Sequence, residues 1–423
     1  MAVTLHKQAN CGFVMLNSPP VNAINQKMRE DLIDAVTWAE SEGLERVILS
    51  GMGRSFAAGA DTKEFDQPAI PPHLPDVVNR IETSTVPWIA AIHGTALGGG
   101  GELALGCRYR IARANATIGF PEVILGLVPG AGATQRLPRL VGLAEALKLI
   151  PTGKTISGKA AMAIGLVNAI DDDPVAAAKL IDQKILSEAV PLSLMKAGRD
   201  KTVNYDTARQ LAIRRMRGQE APLTAISLLE TAQTATFDDG MQKERNAFLA
   251  LRASPQARAL RHIFFAERAA KKPPKAIETQ KSTLKPLNHV IVIGGGTMGS
   301  GIAYAFLNAN IRVTILESDD AGMQRANTAI DTIISASLAS GHIDPQAATD
   351  RRNLLKVMMI QPDSDAGKRR NDDLTNVDLV IEAVFEDLAI KKEILQAIEP
   401  TLDPNAIIAT NTSYLDVNKL AAC

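Results

Sequence analysis

The sequence predicts an α/β protein with more than one domain. Apolar runs typical of strands alternate with helical patterns in the first part of the chain. From about Asp171 to Lys272 the strand patterns vanish, and segments rich in Ala, Leu and Arg have helical periodicity. A second alternation of strand and helix patterns begins at His289. Because the chain has 423 residues, we expect two or three domains.

Three apolar runs and two long helical patterns define the main predicted elements. The runs GFVMLN from Gly12, RVILSG from Arg46 and VPWIAAIHG from Val86 predict strands. The segments NQKMREDLIDAVTWAESEG from Asn25 and PQARALRHIFFAERAAKK from Pro255 have apolar residues at helical spacing. Strands that alternate with helices favour a parallel sheet with helices packed against it.

A polar segment separates the two α/β patterns. The residues KKPPKAIETQKSTLKPLN, 271–288, include prolines and lack apolar periodicity, which predicts a linker between domains. We therefore predict an α/β domain at 1–190, a helical extension and linker at 191–287, and a second α/β domain at 288–423.

Composition excludes several classes of function. Lys plus Arg equals Asp plus Glu at 46 residues each, so no net charge favours nucleic acid as a partner. The cysteines Cys11, Cys107 and Cys423 are too few for a disulfide framework and too far apart for a metal-ligand pair. We expect no metal and a reducing compartment. No apolar run is long enough to cross a bilayer and no export signal opens the chain, so we expect no membrane insertion.

Four consecutive glycines, Gly98 to Gly101, lie in the apolar stretch HGTALGGGGELALG. Such a run destabilises regular structure, which suggests that another group closely approaches the backbone here. If a helix begins around Gly99 to Gly101, its first amides point out of the turn and can stabilise an oxyanion. A second glycine turn, GRSFAAGADTKEF from Gly53, could present the amide of Gly59 or Ala60 to the same oxygen.

Two glutamates accompany these loops. Glu102 follows the glycine run, and Glu122 lies in the apolar stretch IGFPEVILGLVPGAG. Two carboxyl groups in apolar surroundings can differ in protonation, one acting as an acid and its neighbour as a base. That pair suits the addition of water beside an activated carbonyl. The alternative is structural: Glu102 would cap a helix, and Glu122 would pair with a cation such as Arg136.

The second α/β region contains a dinucleotide-binding pattern. Gly294, Gly296 and Gly299 follow the apolar run HVIVI and begin an apolar helix, with Thr297 and Met298 between the last two glycines. This context predicts that pyrophosphate binds at the helix N-terminus of a doubly wound, Rossmann-type parallel sheet.

Glu317 ends the next predicted strand, IRVTILE. A carboxylate there accepts hydrogen bonds from the adenosine ribose and repels a 2′-phosphate, which favours NAD over NADP. The runs NVDLVIEAVFEDLAIKKEIL and AIIATNTSYL supply two further strand ends, where ligands bind in such sheets.

Through the stretches EAVFE and NTS, this region resembles the NAD-binding half of 3-hydroxyacyl-CoA dehydrogenases. The resemblance implies that Ser413 contacts the substrate hydroxyl and that Glu386 and Lys391 lie near the nicotinamide ribose. The alternative for the latter two is a solvated loop position. In that family the general-base histidine follows the NTS stretch, and this sequence stops at Cys423. We therefore expect this sequence to contain an incomplete dehydrogenase region that binds NAD but does not transfer hydride, with NAD-dependent 3-hydroxyacyl-CoA dehydrogenase activity in the full-length protein.

From about Phe56 to Gly165 the chain resembles the enoyl-CoA hydratase/isomerase, or crotonase, superfamily. The resemblance lies in FAAGAD, AIHGTALGGGGELALGC, GFPEVILGLVPGAGATQRLPRLVG and IPTGKTISGKAAMAIGLV. It implies a crotonase-like ββα spiral for the first domain. The whole chain is similar to the peroxisomal-type bifunctional enzymes of fatty-acid β-oxidation and their bacterial relatives.

The resemblance also implies residue roles. The amides of Ala60 and Gly99 would hold the thioester oxygen of a 2-trans-enoyl-CoA, Glu102 would activate water for attack at C3, and Glu122 would deliver a proton to C2. Two other activities stay open: isomerisation of a 3-enoyl-CoA, with Glu122 moving a proton, and binding of acyl-CoA or NAD without catalysis.

For the assembly the resemblance implies a monomer, with a trimer as the alternative. For the compartment we expect a bacterial cytoplasm, with a peroxisome as the alternative.

Overall fold

A computed structural model describes residues 2–198, 203–272, 286–360 and 376–422. The chain divides into two compact units, Met1–Pro273 and Pro274–Cys423. Most of the predicted linker, residues 273–285, lies outside the described residues. No helix of the described part is long and apolar enough to cross a membrane.

Two sheets form the first unit within its described residues. The larger sheet has the strand order β1, β2, β3, β4, β6, β9, and the smaller has the order β5, β7, β8. The β1–β2 and β7–β8 pairs are antiparallel and the other pairs are parallel. The strands are β1 (Val3–Gln8), β2 (Cys11–Leu16), β3 (Arg46–Gly51), β4 (Trp88–Ile92), β5 (Thr95–Leu97), β6 (Tyr109–Ala112), β7 (Thr117–Gly119), β8 (Thr155–Ser157) and β9 (Ala169–Ile170). The three predicted strand runs are confirmed.

Helices cover the sheets of this unit. Asn25 caps the first helix, and its side chain accepts a hydrogen bond from the amide of Met28. The helices before residue 190 are α1 (Gln26–Ser41), α2 (Leu74–Glu82), α3 (Gly99–Gly106), α4 (Ala133–Val141), α5 (Leu143–Leu149), α6 (Gly158–Ala163), α7 (Pro174–Lys179) and α8 (Gln183–Glu188).

Four further helices follow in the region where strand patterns vanish. They are α9 (Tyr205–Arg215), α10 (Ala221–Thr231), α11 (Phe237–Ala253) and α12 (Pro255–Ala270). Their buried apolar residues, among them Ala225, Leu229, Leu251 and Ala257, belong to the same core as the strands of the first unit. The helical extension predicted for 191–287 therefore packs, in its described residues, as part of the first unit and not as a separate body.

The second unit contains a parallel sheet with the strand order β12, β11, β10, β13, β14 in its described residues. Along the central strand, Val290 and Val292 belong to one apolar cluster and Ile291 and Ile293 to another, so both faces of the sheet are covered. The doubly wound, Rossmann-type sheet is confirmed. Its elements are β10 (His289–Ile293), α13 (Thr297–Asn308), β11 (Arg312–Glu317), α14 (Asp320–Ala339), α15 (Pro345–Asn353), β12 (Leu355–Met359), β13 (Leu379–Glu382), α16 (Leu388–Ile398), β14 (Ile407–Thr410) and α17 (Val417–Ala421).

Candidate active site

Two backbone amides from separate loops lie close together in the first unit. One is the amide of Ala60, which follows Gly59 in its positive-φ conformation (104°), and the other is the amide of Gly99 at the start of α3. The nitrogen of Ala60 lies 3.4 Å from the position that a Cβ on Gly99 would take. In the described part of the chain neither amide donates to a recorded acceptor. The structure thus brings the two predicted amides close together, and a pair of amides without acceptors can bind a ligand oxygen.

At the first two glycines of the run, neighbouring side chains lie too close to the backbone for a Cβ atom. Gly98 has φ 52° and ψ −123°, which a residue with a side chain rarely adopts. A Cβ on Gly98 would lie 2.9 Å from Oε1 of Glu122, and one on Gly99 would lie 2.6 Å from Cδ2 of Leu74. Glycine at these two positions therefore leaves room for the carboxyl group of Glu122 and for the side chain of Leu74.

The other two glycines pack α3 into the unit. A Cβ on Gly100 would overlap the carbonyl oxygen of Ala57, and one on Gly101 would lie 2.9 Å from the ring of Phe120. Ala57 pairs with Ala96 beside the same loop. The glycine run thus lets α3 pack against the loop of Ala57 and against Phe120, beside Glu122. This close packing explains why the sequence has glycine at four successive positions.

Glu102 is buried in the first turn of α3, and its Oε1 accepts hydrogen bonds from the amides of Ala131 (2.8 Å) and Ala133 (3.1 Å). These amides belong to the start of α4, so Glu102 does lie at a helix N-terminus, as the structural alternative supposed. Burial raises the pKa of Glu102, while the two amides and the charge of Arg136 oppose that rise.

Glu122 has different surroundings. Its Oε2 is inaccessible to solvent and has no hydrogen-bond partner among the described residues. Burial first, and then the negative charge of Glu102, raise the pKa of Glu122 well above its ordinary value. The predicted alternative of a Glu122–Arg136 pair is wrong: Arg136 forms a buried ion pair with Glu82 at 2.7 Å.

A third carboxyl group, which the sequence argument missed, lies beside these two. Glu244 of α11 is fully buried, and it accepts hydrogen bonds from the amide of Gly132 (2.6 Å) and from the amide (2.9 Å) and hydroxyl (2.5 Å) of Thr134. Burial and the charge of Glu102 raise the pKa of Glu244 to about 8. One local signal could have revealed it, because Glu244 falls on the buried stripe of α11 with Gly240 and Leu251.

A cleft of about 1090 Å³ contains Ala60, Gly99, Glu102 and Glu122 together. Its wall includes the segment 67–75, which follows the loop of Ala60. Aromatic and basic side chains from the helical extension also line it: Phe248, Phe264, Phe265, Arg245, Arg252, Arg268, Lys271 and Lys272. The lining of the cleft therefore includes apolar, aromatic and basic side chains as well as two carboxyl groups.

In the second unit the predicted glycines lie at the turn between β10 and α13. Gly294 has φ 90°, and a Cβ on Gly299 would overlap the carbonyl oxygen of Gly294. Gly296 caps the helix with open space around it, and Thr297 and Met298 are exposed. The helix N-terminus thus presents accessible backbone, and the residues present fit a bound pyrophosphate.

Glu317 ends β11 beside this turn, where its Oε1 accepts a hydrogen bond from the amide of Gly295. The carboxylate is half-buried and close to Gly322, whose lack of a side chain leaves room for it. Glu317 thus lies at the end of the strand next to the glycine turn, as the sequence predicts.

Glu386, Lys391 and Ser413 come together at the other side of β10. Glu386 accepts hydrogen bonds from the hydroxyl of Thr412 (2.6 Å) and the amide of Ser413 (2.8 Å), which with Lys391 lower the pKa of Glu386 to about 2. Lys391 is fully buried, with its Nζ 2.8 Å from Glu382 and 3.2 Å from Glu386. Its ammonium is therefore engaged with carboxylates, whereas Ser413 is exposed.

These features define a class of protein: an α/β unit with two adjacent amides, a buried glutamate and a half-buried glutamate in one cleft, followed by a unit with a dinucleotide-binding turn. Residues 6–248 match the enoyl-CoA hydratase/isomerase family model, and the chain belongs to this family. Residues 289–423 match the NAD binding domain of 3-hydroxyacyl-CoA dehydrogenase.

Two curated relatives match almost the whole of this chain. The chain is 36% identical to the peroxisomal bifunctional enzyme of Cavia porcellus, over 100% of this chain and 58% of that protein. It is 32% identical to the fatty acid oxidation complex subunit alpha of Shewanella baltica, over 93% of this chain and 57% of that protein. A solved enoyl-CoA hydratase from Thermoplasma volcanium is 29% identical over 61% of this chain and 94% of its own, with a TM-score of 0.42. The chain spans little more than half the length of the two relatives named here.

Proposed function

We propose that the first unit hydrates 2-trans-enoyl-CoA thioesters to 3-hydroxyacyl-CoA in fatty-acid β-oxidation. The observation behind this proposal is the contrast between the two glutamates in one cleft. Burial raises the pKa of both groups, but two amide hydrogen bonds to Glu102 oppose that rise. Glu122 has a buried oxygen without a partner among the described residues, and its pKa is raised well above the ordinary value. One group is therefore suited to act as a base and the other as an acid.

In the proposed reaction the amides of Ala60 and Gly99 hold the thioester oxygen as negative charge develops on it. Each such donor typically contributes about 3 to 4 kcal/mol to transition-state stabilisation. Glu102 takes a proton from water as its oxygen bonds to C3, and Glu122 gives its proton to C2. The double bond is consumed and both hydrogens of water are accounted for once Glu102 returns a proton to Glu122.

The basic residues of α12 and of the two positions after it in the cleft lining suit the phosphates of coenzyme A. Arg268, Lys271 and Lys272 line it together with the rings of Phe264 and Phe265. Cations attract phosphate and aromatic rings stack on an adenine, so both parts of the coenzyme have complementary groups here.

For the second unit we propose NAD binding, with the pyrophosphate at the amides of residues 296–298 and the adenosine ribose at Glu317. NAD, when bound, would supply a hydride acceptor for a 3-hydroxyacyl-CoA. Glu386 and Ser413 would lie toward the nicotinamide and the substrate, and Lys391 would hold Glu386 in place.

We also propose a reducing compartment, with a bacterial cytoplasm as the first choice and a peroxisome as the alternative. Cys11 and Cys107 are free thiols in the described part of the chain. For the assembly we propose a monomer, because the buried apolar residues of α10 to α12 belong to the core of their own unit. The alternative is a trimer, and the mass in solution distinguishes the two.

The test is the loss of enoyl-thioester absorbance when the chain is added to crotonyl-CoA. We expect turnover by the wild-type chain and a loss of about 10²- to 10⁴-fold in kcat for Glu122→Gln, with crotonyl-CoA binding retained. The matched control is Glu188→Gln, a change at an exposed glutamate of α8, which should hydrate at the wild-type rate.

Other outcomes would reject the assignment. A Glu122→Gln chain with full activity rejects the acid role. Conversion of a 3-enoyl-CoA to the 2-enoyl isomer without incorporation of water indicates an isomerase. Binding of crotonyl-CoA without turnover of either substrate indicates a binding module.

A further inference from the structure

Glu244 belongs to the helical extension, to which the sequence assigned no chemistry, and yet it is fully buried beside the two glutamates of the site. A buried carboxyl group is costly unless its oxygens are hydrogen-bonded. Both oxygens of Glu244 are engaged, Oε1 by Gly132 and Oε2 by Thr134. Its partners are therefore confined to one short segment at the start of α4.

Successive amides of that segment donate hydrogen bonds to two different carboxyl groups in turn. The amides of Ala131 and Ala133 donate to Glu102, and those of Gly132 and Thr134 donate to Glu244. Gly132 has φ 105°, which turns successive amides toward opposite sides. Because the four amides share one backbone, the two carboxyl groups hold it from two sides.

We infer that Glu244 is a positioning residue of the hydratase site: by binding Gly132 and Thr134 it fixes the segment whose other two amides hold the Glu102 carboxylate. This inference rests on the proposed function, because it assigns Glu244 to the same reaction. Without Glu244 the segment would lose its anchor in α11, and the amides of Ala131 and Ala133 would no longer be held toward Glu102. A displacement of about 1 Å in a catalytic group can lower turnover about 100-fold.

The charges around Glu244 predict a second effect. Glu102 and Arg245 interact with it electrostatically, and its charge raises the pKa of Glu122; Arg136 faces the same segment through the carbonyl of Ala131. A glutamine at position 244 removes the negative charge that Glu244 gains as pH rises through about 8. Glu122 then loses its proton at a lower pH, so the alkaline limb of the kcat profile moves to lower pH.

The experiment measures kcat, KM and the pH profile of crotonyl-CoA hydration by the full chain with Glu244→Gln. We expect kcat to fall about 10- to 100-fold with KM nearly unchanged, together with the shift of the alkaline limb. Glu244→Asp retains the negative charge, but its shorter side chain does not reach Gly132 and Thr134. In this variant the alkaline limb of the kcat profile should therefore lie near its wild-type position, while kcat stays low. Asp238→Asn, an exposed change in the first turn of the same helix, should leave all three quantities unchanged.

A second pair of variants keeps the test decisive if Glu244→Gln fails to fold. Thr134→Val removes one donor to Glu244, whereas Thr134→Ser keeps it, so only the valine should lower kcat. A wild-type kcat in Glu244→Gln or in Thr134→Val, even with a lower melting temperature, would overturn the inference. If the wild-type chain itself hydrates no crotonyl-CoA, the proposed function fails instead.

Discussion

Two separate structural features require glycine at position 98. Its backbone conformation is rarely adopted by residues with a side chain, and the position that a Cβ would take lies 2.9 Å from Oε1 of Glu122. The first requirement is general to the turn, whereas the second concerns the carboxyl group that we propose as the acid. A substitution here therefore tests both the fold of the turn and the chemistry of the cleft.

We predict that Gly98→Ala lowers hydration of crotonyl-CoA by moving Glu122, and that backbone strain lowers the free energy of unfolding by about 1 to 3 kcal/mol. The measurements are kcat and the melting temperature. The control is Gly53→Ala, where φ is also positive (75°) but no atom lies within 4 Å of the added Cβ. If both variants have the same kcat, the contact with Glu122 does not matter for turnover.

The contrast between Glu102 and Glu122 also belongs to the residue scale. Both are acidic residues in apolar sequence, and the local pattern alone does not say which is charged. The difference arises from their hydrogen bonds. Two amides at the N-terminus of α4 donate to Glu102, whereas Oε2 of Glu122 has no hydrogen-bond partner among the described residues. Hydrogen bonds to the charged form lower a pKa, and burial without them raises it.

At the scale of elements, α11 supports both loops of the cleft. Glu244 holds the start of α4, and Arg252, two turns later, donates to the carbonyls of Phe65 (2.8 Å), Glu64 (2.8 Å) and Gln67 (2.6 Å). These carbonyls belong to the turn that follows Ala60. A helix that the sequence shows only as amphipathic therefore contacts both the segment that holds Glu102, the proposed base, and the turn that follows Ala60, one of the two proposed oxyanion donors.

We predict that Arg252→Lys lowers kcat/KM for crotonyl-CoA about tenfold, because lysine cannot reproduce three hydrogen bonds from one planar guanidinium. Hydrogen bonds from charged donors contribute about 1.5 to 3 kcal/mol each, so the turn after Ala60 should also become more susceptible to proteolysis. The measurements are steady-state kinetics and the rate of cleavage in residues 62–72. Arg258→Lys, an exposed change on α12, is the control. Equal kinetics in the two variants would show that Arg252 does not position the turn.

At the scale of the whole molecule, each unit has its own apolar core. One pair of clusters includes only residues of the first unit, and the other pair includes only residues of the second. The residues that we propose for hydration all lie in the first unit, and the glycine turn that we propose for NAD lies in the second. We therefore expect the two binding functions to respond independently to substitution.

The prediction is that Gly299→Ala weakens NAD binding while hydration of crotonyl-CoA stays at the wild-type rate. The added Cβ would overlap the carbonyl oxygen of Gly294 and distort the turn. Gly301→Ala, two residues later in the same helix, adds its Cβ to open space and should bind NAD normally. Calorimetric titration with NAD and the absorbance assay measure the two properties. Equal NAD affinity of the two variants would contradict the assigned turn.

The sequence by itself determined the two α/β regions, the glycine turns and the pair Glu102 and Glu122. Each of these depends on residues close together in the chain, because hydrophobic periodicity and glycine spacing are local properties. The stretch EAVFE and the NTS stretch likewise pointed to residues that the fold brings together.

Only the tertiary structure decided the partners of the charged groups. Arg136 pairs with Glu82, 54 residues away, and Glu244 binds Gly132, 112 residues away. It also showed that the helical extension shares the core of the first unit and contributes α11 to the cleft. No local pattern encodes such contacts, since they depend on which elements the folded core brings side by side, and the protonation of each glutamate follows from those contacts.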